Sequence, residues 1–251
     1  MSNPKLKEDQ QGVSPEGWMA AHFDTAWDTS ESRVIRVAFR TIGSKKVDFW
    51  KNRWAASLTS RRGDVFPFGR MCHAELILPT SPGKYVKCSV IKKYWAGKDD
   101  AGRDIFKPGS VHCVETKPTE WRSKYVFLTM DAPRSDIARG VRFCVRNNGM
   151  PFNKAGYFAN LVVPGGIGVR RFYPELMNTR RAYFCTEFIC TALQAMVYED
   201  IQTGRSYLPR HWRNAVRSLN PATSNPNMLY AKLKESIGVY DDTALGRSLG
   251  V

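Results

Sequence analysis

The sequence predicts one α+β domain built on an antiparallel sheet. Three observations favour this class: short runs rich in β-branched and aromatic residues, Pro/Gly turns between them, and the order helix, strands, helix, helix. At 251 residues with 43% hydrophobic residues, the chain is long enough to bury a proper core. We assign residues 31–240 to this domain, residues 1–30 to a polar, mobile or loosely docked arm, and residues 241–251 to a tail.

The strands are predicted from apolar runs that turn residues interrupt. Val34–Ile42 alternates well enough for a strand and ends at Gly43. A Pro/Gly turn at residues 79–83 separates two β-rich runs, which predicts a hairpin. The later runs are His73–Leu78, Tyr85–Ile91, Val111–Glu115 and Tyr125–Met130. We expect Lys98–Gly109 to be a charged loop excursion.

The helices are predicted from apolar residues at helical spacing. Asp48–Leu58, Ser135–Asn147 and Met228–Ser236 fit amphipathic helices, and residues 149–182 carry the glycines and prolines of a long loop. Phe184–Tyr198 is the strongest pattern, because its apolar residues fall on one face. That face consists of Cys185, Phe188, Ile189, Ala192, Leu193 and Met196.

The chain carries a formal charge of +15, which predicts attraction to polyanions. Nine basic residues stand against one acid between Arg33 and Arg62, and nine against two between Arg134 and Arg181. Such patches fit a nucleic-acid or anionic-membrane surface, and they equally fit an ordinary solvated surface.

Cysteine use and the absence of targeting segments indicate a reducing compartment, such as the cytoplasm. The N-terminal residues contain no apolar core of a signal peptide, and no apolar run approaches the roughly 20 residues that span a bilayer. Six cysteines in such a chain are expected to be reduced thiols rather than a disulfide framework.

Cys185 is the candidate nucleophile, because it stands in the first turn of the strongest helix. A thiol attacks as its thiolate, and the free N–H groups and macrodipole of a helix N-terminus favour an anion there. His73 is the candidate base, since it starts a strand just after a loop, whereas His22 lies in the polar arm and His211 in the Pro-rich tail. The simpler interpretations are a packed cysteine and a structural histidine.

Several short segments resemble the circularly permuted NlpC/P60 group of the papain-like superfamily, which includes YiiX-like, lecithin retinol acyltransferase-like and viral members. CHAEL at residues 72–76 is similar to its S-H-x-E-L block, and FCTEFICTAL at residues 184–193 to its F-C-S-E-L-x-x-x-A-L block. PFNKAG at residues 151–156 resembles a P-Y-D-x-x-G segment, with Phe152 and Asn153 in place of the usual Tyr and Asp. Residues 208–209 and 225–230 stand where an S-P-x-x-L segment falls.

The resemblance, over roughly residues 33–235, implies a sheet packed against a helix that carries the nucleophile at its N-terminus. It implies a thiol hydrolase or acyltransferase with Cys185 as nucleophile, His73 as base, and a peptide or acyl-lipid substrate. The oxyanion hole would come chiefly from the Cys185 backbone N–H. The third polar residue, which orients the imidazole, stays open among Ser89, Glu115 and His112.

No cofactor is expected, and metal binding is disfavoured. The Cys-His neighbours at residues 72–73 and 112–113 point to opposite faces of their strands, and Cys-x-x-Cys spacing is absent. The competing hypothesis is a non-catalytic basic protein on the same scaffold that binds nucleic acid or anionic membrane. Both hypotheses hold together if the charge localises an enzyme in a virion or other nucleoprotein particle. The sequence leaves the oligomeric state undetermined.

Overall fold

A computed structural model describes residues 15–23, 34–41, 71–91, 93–117, 125–154, 156, 182–197, 210–221 and 224–237. Within these ranges the chain is α+β with an antiparallel sheet and several helices, which confirms the predicted class. The helices are α1 Pro15–His22, α2 Arg134–Arg146, α3 Cys185–Val197, α4 Arg210–Ser218 and α5 Pro226–Ile237. The strands are β1 Val34–Thr41, β2 Met71–Ser81, β3 Lys84–Val90, β4 Lys93–Lys98, β5 Asp104–Pro108, β6 Val111–Thr116 and β7 Tyr125–Asp131.

The main sheet has five strands in the order β6-β3-β2-β1-β7, and every neighbouring pair is antiparallel. The predicted hairpin is confirmed as β2 and β3, although its turn is tighter than expected. Ser81 pairs with Lys84, so residues 82–83 alone make the turn, and Gly83 adopts a φ of 70° that favours glycine. The predicted strands in β1, β6 and β7 are confirmed within one or two residues at each end.

One face of the sheet packs on helices α2, α3 and α5 and forms the core. In β1 and β2 every second side chain points toward the helices, and these side chains form the part of the core that the sheet contributes. The fully buried residues include Val37, Leu76 and Leu78 from the strands and Phe188 and Leu193 from α3. The apolar face predicted for α3 is confirmed, since all six of its members are buried.

Helices α2 and α3 approach each other closely at Gly140. A Cβ at this position would stand 2.6 Å from the Met196 Cγ atom, so the absence of a side chain permits the contact. The Arg139 guanidinium pairs with the buried Asp136 carboxylate and donates to the Met196 carbonyl at 2.8 Å, in the last turn of α3. A half-buried cation therefore joins the two helices and caps the second.

Three expectations for the chain outside the sheet differ from the structure. The supposedly loose arm contains α1, which packs on α2 because Trp18 and Phe23 are buried. The charged excursion contains the turn and the second strand of the hairpin β4–β5, and this strand is exposed throughout, so no apolar alternation marked it. Helix α4 was not predicted, because its nine residues bury only Trp212, Ala215 and Val216.

Several predictions lie outside the described residues. These are the helix at residues 48–58, most of the loop at residues 149–182, residues 1–14 of the arm, and the tail at residues 241–251. None of the described helices is long and apolar enough to cross a membrane.

Candidate active site

Helix α3 begins at Cys185 because the preceding backbone is capped by a side chain from within the helix. The Glu187 carboxylate accepts the Phe184 N–H at 3.2 Å, which is the arrangement of a third-position glutamate closing the first turn. The Asn153 amide donates to the same carboxylate oxygen at 3.2 Å. Asn153 also ties its own segment to this point, because its N–H donates to the Tyr183 carbonyl at 2.8 Å. Cys185 is therefore held at a fixed helix N-terminus.

The structure brings together the Cys185 thiol and the His73 ring, which interact through a hydrogen bond and through charge. The two side chains are hydrogen-bonding partners, and the backbone N–H groups of Ala74 and Thr186 also donate to the sulfur. Burial raises the pKa of the Cys185 thiol, but the hydrogen bond and charge of His73 and the two N–H groups outweigh it and lower the pKa below its ordinary value. The arrangement favours a thiolate.

His73 is held by a carboxylate from its own strand. Its Nε2 lies 3.5 Å from the Glu75 Oε1, because residues two apart on a strand share a face. Burial lowers the pKa of His73, but the hydrogen bonds and charges of Cys185 and Glu75 raise it to about 10. The contact between the two groups therefore favours the thiolate on Cys185 and the imidazolium on His73.

Glu75 is itself fixed as a carboxylate. Burial raises its pKa, but the hydrogen bond and charge of His73, the charge of Lys87 and a hydrogen bond with Tyr125 outweigh it, so the pKa is lowered. The Lys87 ammonium lies 3.9 Å from Glu75 Oε2. Lys87, Glu75, His73 and Cys185 thus form a chain of alternating charges across β3, β2 and the start of α3.

The strand and the helix can meet because β2 and β3 separate at one end. Their register runs from Leu76↔Cys88 to Ser81↔Lys84, whereas β3 stays paired with β6 up to Val90↔Val111. The start of β2 therefore lies beyond its pairing with β3, and the Ala74 N–H donates to the Cys185 sulfur instead. Within the described residues, Cys185 keeps 6% of its surface exposed and the His73 side chain 20%, so the imidazole is the more open member.

The groups whose hydrogen bonds and charges act on His73 are Cys185 and Glu75, and the three residues predicted to orient the imidazole are not among them. Ser89 is buried on β3 opposite His112, and the His112 Nε2 lies 3.0 Å from the Ser110 Oγ. Burial lowers the pKa of His112. Glu115 is exposed near the far end of β6, where it pairs with Val86. The residue next to His73 is Glu75, and the sequence held the signal for it: a glutamate two positions after the histidine on a predicted strand.

No group of three or more His, Cys, Asp or Glu side chains that could hold a metal ion occurs among the described residues. All six cysteines are free thiols, and only Cys72 is not buried. No protein-family model, curated protein or solved structure matches the chain. The function is therefore inferred from the fold and from the geometry of the site.

Proposed function

We propose that the protein is a thiol hydrolase or acyltransferase of the permuted papain-like type, with Cys185 as nucleophile, His73 as acid and base, and Glu75 orienting His73. The observation that carries the proposal is the contact between a sulfur at a helix N-terminus and an imidazole from an earlier strand. The Glu75 carboxylate lies 3.5 Å from the His73 ring and supplies the third group of the site, which orients the base that activates the thiol. The order of strand and helix along the chain supports the permuted arrangement.

The proposed reaction is covalent. The Cys185 thiolate adds to the carbonyl carbon of an ester, thioester or amide, and the carbonyl electron pair moves to oxygen. The Cys185 N–H at the helix start would stabilise that oxyanion. His73 then gives its proton to the departing alcohol, thiol or amine, which leaves an acyl group on sulfur.

In the second half of the reaction, neutral His73 takes a proton from water or from another acceptor as that nucleophile attacks the acyl carbon. The carbon–sulfur bond breaks and the thiolate returns. Water as acceptor gives hydrolysis, and a lipid or amine as acceptor gives acyl transfer. Peptides and acyl lipids both fit this chemistry, and the thiolate requires a reducing compartment such as the cytoplasm or a particle assembled there.

Alkylation with iodoacetamide at pH 6, located by mass spectrometry, tests the nucleophile without a known substrate. We expect Cys185 to react at least about tenfold faster than an ordinary thiol, since one unit of pKa is a tenfold change in thiolate. Cys190 is the internal control: burial raises its pKa to about 12, although a hydrogen bond with Ser224 opposes this. Equal labelling of Cys185 and Cys190 would reject the proposal.

A second test looks for the acyl intermediate. Incubation with p-nitrophenyl butyrate should release a burst of nitrophenolate and add one butyryl group to Cys185. The Cys185→Ala variant should give neither, while Cys190→Ala should keep both. A butyryl group on another residue would assign the chemistry elsewhere.

A second candidate function is polyanion binding, which a specific surface supports. The α4–α5 face consists of Arg210, Arg213 and Arg217, which are spaced for one side of α4, and of Lys232 on α5. Glu235 is the one acid in these two helices, and the Lys232 ammonium joins them by donating to the Ser218 carbonyl at 2.9 Å. A guanidinium group forms bidentate hydrogen bonds with a phosphate, so this arginine-rich face favours nucleic acid as its ligand.

The α4–α5 face is poorly suited to insertion into a membrane. The apolar residues of α4 are buried against the protein, and the large exposed hydrophobic residues in the described ranges, Ile105 and Phe106, lie on β5. Binding to a 20-base-pair DNA duplex should therefore exceed binding to phosphatidylserine vesicles of equal charge concentration. The double variant Arg210→Glu/Arg213→Glu should weaken DNA binding at least about tenfold and reduce its salt dependence.

The matched control is Lys98→Glu/Lys107→Glu on the exposed β4–β5 hairpin, which makes the same change in net charge. Equal losses in the two double variants would mean that the whole charge of +15, rather than this face, attracts the duplex. Tighter binding to the vesicles would assign the face to anionic membrane.

A further inference from the structure

A short segment after α4 reaches both halves of the candidate active site. Residues 224–227 are Ser-Asn-Pro-Asn, and Ser224, Asn225 and Asn227 are all buried. Buried polar side chains are costly unless they are hydrogen-bonded, so the partners of this segment indicate its role. Two of those partners lie beside Cys185 and His73.

The first contact fixes the start of β2. The Met71 N–H donates to the Asn227 Oδ1 at 2.8 Å, and the Asn227 Nδ2 donates to the Met71 carbonyl at 3.4 Å. One amide side chain therefore satisfies both backbone groups of a residue two positions before His73. The two residues are 156 positions apart in the chain, so this contact is not a local turn.

The second contact fixes the start of α3. The Thr186 hydroxyl donates to the Ser224 carbonyl, and Thr186 is 1% exposed. Thr186 follows Cys185 directly, and its backbone N–H is one of the donors to the sulfur. A shift of Ser224 would therefore move the Thr186 N–H relative to the thiolate.

We propose that Ser224–Asn227 is a positioning clamp that sets the distance between the Cys185 thiolate and the His73 ring. The inference rests on the proposed function, because it describes what holds that pair together. Ser224 and Asn227 touch neither substrate nor reacting atoms, so they act through Thr186 and Met71. Residue Asn225, between them, serves another purpose: its Oδ1 accepts the Met228 N–H at 3.0 Å and caps α5.

The chain offers two matched pairs of variants. Thr186→Val removes the hydroxyl that reaches Ser224, whereas Thr191→Val removes a hydroxyl that bonds only within α3, to the Glu187 carbonyl at 2.8 Å. Asn227→Ala removes the amide that holds Met71, whereas Asn225→Ala removes the cap of α5. In the full chain, the rate of Cys185 alkylation by iodoacetamide is measured from pH 5 to pH 9, together with the melting temperature.

We expect Thr186→Val and Asn227→Ala to raise the apparent pKa of Cys185 by about one unit, which slows alkylation at pH 6 about tenfold. Thr191→Val and Asn225→Ala should keep the wild-type pH profile, even if their melting temperatures fall. Should Asn227→Ala not fold, Thr186→Val decides the question alone.

The outcomes separate the two proposals. If wild-type Cys185 has the pKa of an ordinary thiol and the clamp variants are alkylated as fast as the wild type, the thiol-hydrolase proposal and the clamp are both wrong. If wild-type Cys185 has a lowered pKa and all four variants keep it within about a factor of two in rate, only the clamp is wrong.

Discussion

Cys185 and His73 share one proton. Contact between the two groups lowers the pKa of the thiol and raises the pKa of the imidazole. The thiolate depends on the imidazolium, since burial alone would raise the pKa of the thiol. In His73→Ala we therefore expect the rate of Cys185 alkylation at pH 6 to fall at least about tenfold. The labelling of Cys190 should not change. An unchanged Cys185 rate would show that the helix N-terminus, rather than His73, sets its ionisation.

His73 should titrate far above a free histidine. Its raised pKa, about 10, means that the imidazolium contributes stability that is fully present below pH 6.5 and is lost as pH rises through 10. We expect the His73 ring resonances in NMR to shift with a midpoint near 10. Glu75→Gln should lower that midpoint, because the neutral amide no longer favours the cation, while Glu115→Gln on β6 should leave it in place. A wild-type midpoint near 6.5 would contradict the ion pair.

Glu187 gives a pH dependence of the same direction, but over a lower pH range. Burial raises its pKa to about 7, against the Phe184 N–H and the Asn153 amide, from an ordinary value of 4.5. A carboxyl whose pKa rises on folding stabilises the protein at low pH and loses that stability as pH rises from 4.5 to 7, by about 3 kcal/mol. Glu187→Gln should abolish this fall in the free energy of unfolding between pH 5 and pH 8. Glu235→Gln, on the exposed face of α5, is the control, and an equal pH slope in both variants would refute the argument.

At the scale of elements, the contact between α2 and α3 depends on Gly140. Alanine there would place Cβ 2.6 Å from Met196 Cγ and 2.9 Å from Sδ, in a core where Met196 is 1% exposed. We expect Gly140→Ala to cost about 1–3 kcal/mol in unfolding free energy, even though alanine favours helix by up to about 1 kcal/mol.

The double variant Gly140→Ala/Met196→Ala checks the cause. Met196→Ala alone should cost about 2–5 kcal/mol, and adding Gly140→Ala should then cost nothing or stabilise, because the obstructing side chain is gone. Additive losses in urea denaturation would show that the glycine serves some purpose other than close packing.

The elements that the sequence predicted are those with a strong apolar period. The helix α3 and the strands β1, β2, β3, β6 and β7 each bury several apolar residues, so their sequences show a recognisable apolar pattern. Strand β5 buries no residue, and α4 buries three of its nine residues, so neither segment shows a recognisable apolar period in the sequence. Glu75 was overlooked for a different reason. Its carboxylate reaches the imidazole because the two residues are two apart on one strand, whereas the predicted candidates Ser89, Glu115 and His112 were all taken from other strands.

At the scale of the molecule, the N-terminal segment belongs to the core. Trp18 is 6% exposed and stacks on His22 with ring centroids 4.3 Å apart, and Arg146 reaches Glu16 at 3.1 Å. Trp18→Ala should lower the free energy of unfolding by about 3–5 kcal/mol in one cooperative transition. Glu16→Gln, which removes only the exposed ion pair, should leave the melting temperature nearly unchanged. A melting temperature unaffected by Trp18→Ala would mean that α1 is not docked.

During translation, β2 and α3 are synthesised before residues 224–227 exist. The amide of Asn227 follows Met71 by 156 positions and the carbonyl of Ser224 follows Thr186 by 38, so these contacts form only after that much more of the chain has been joined. A nascent chain thus carries its sulfur and its imidazole without the last contacts that hold their supporting backbone. Premature termination before Ser224 would release a polypeptide with both reactive groups but without the contacts of Asn227 to Met71 and of Ser224 to Thr186.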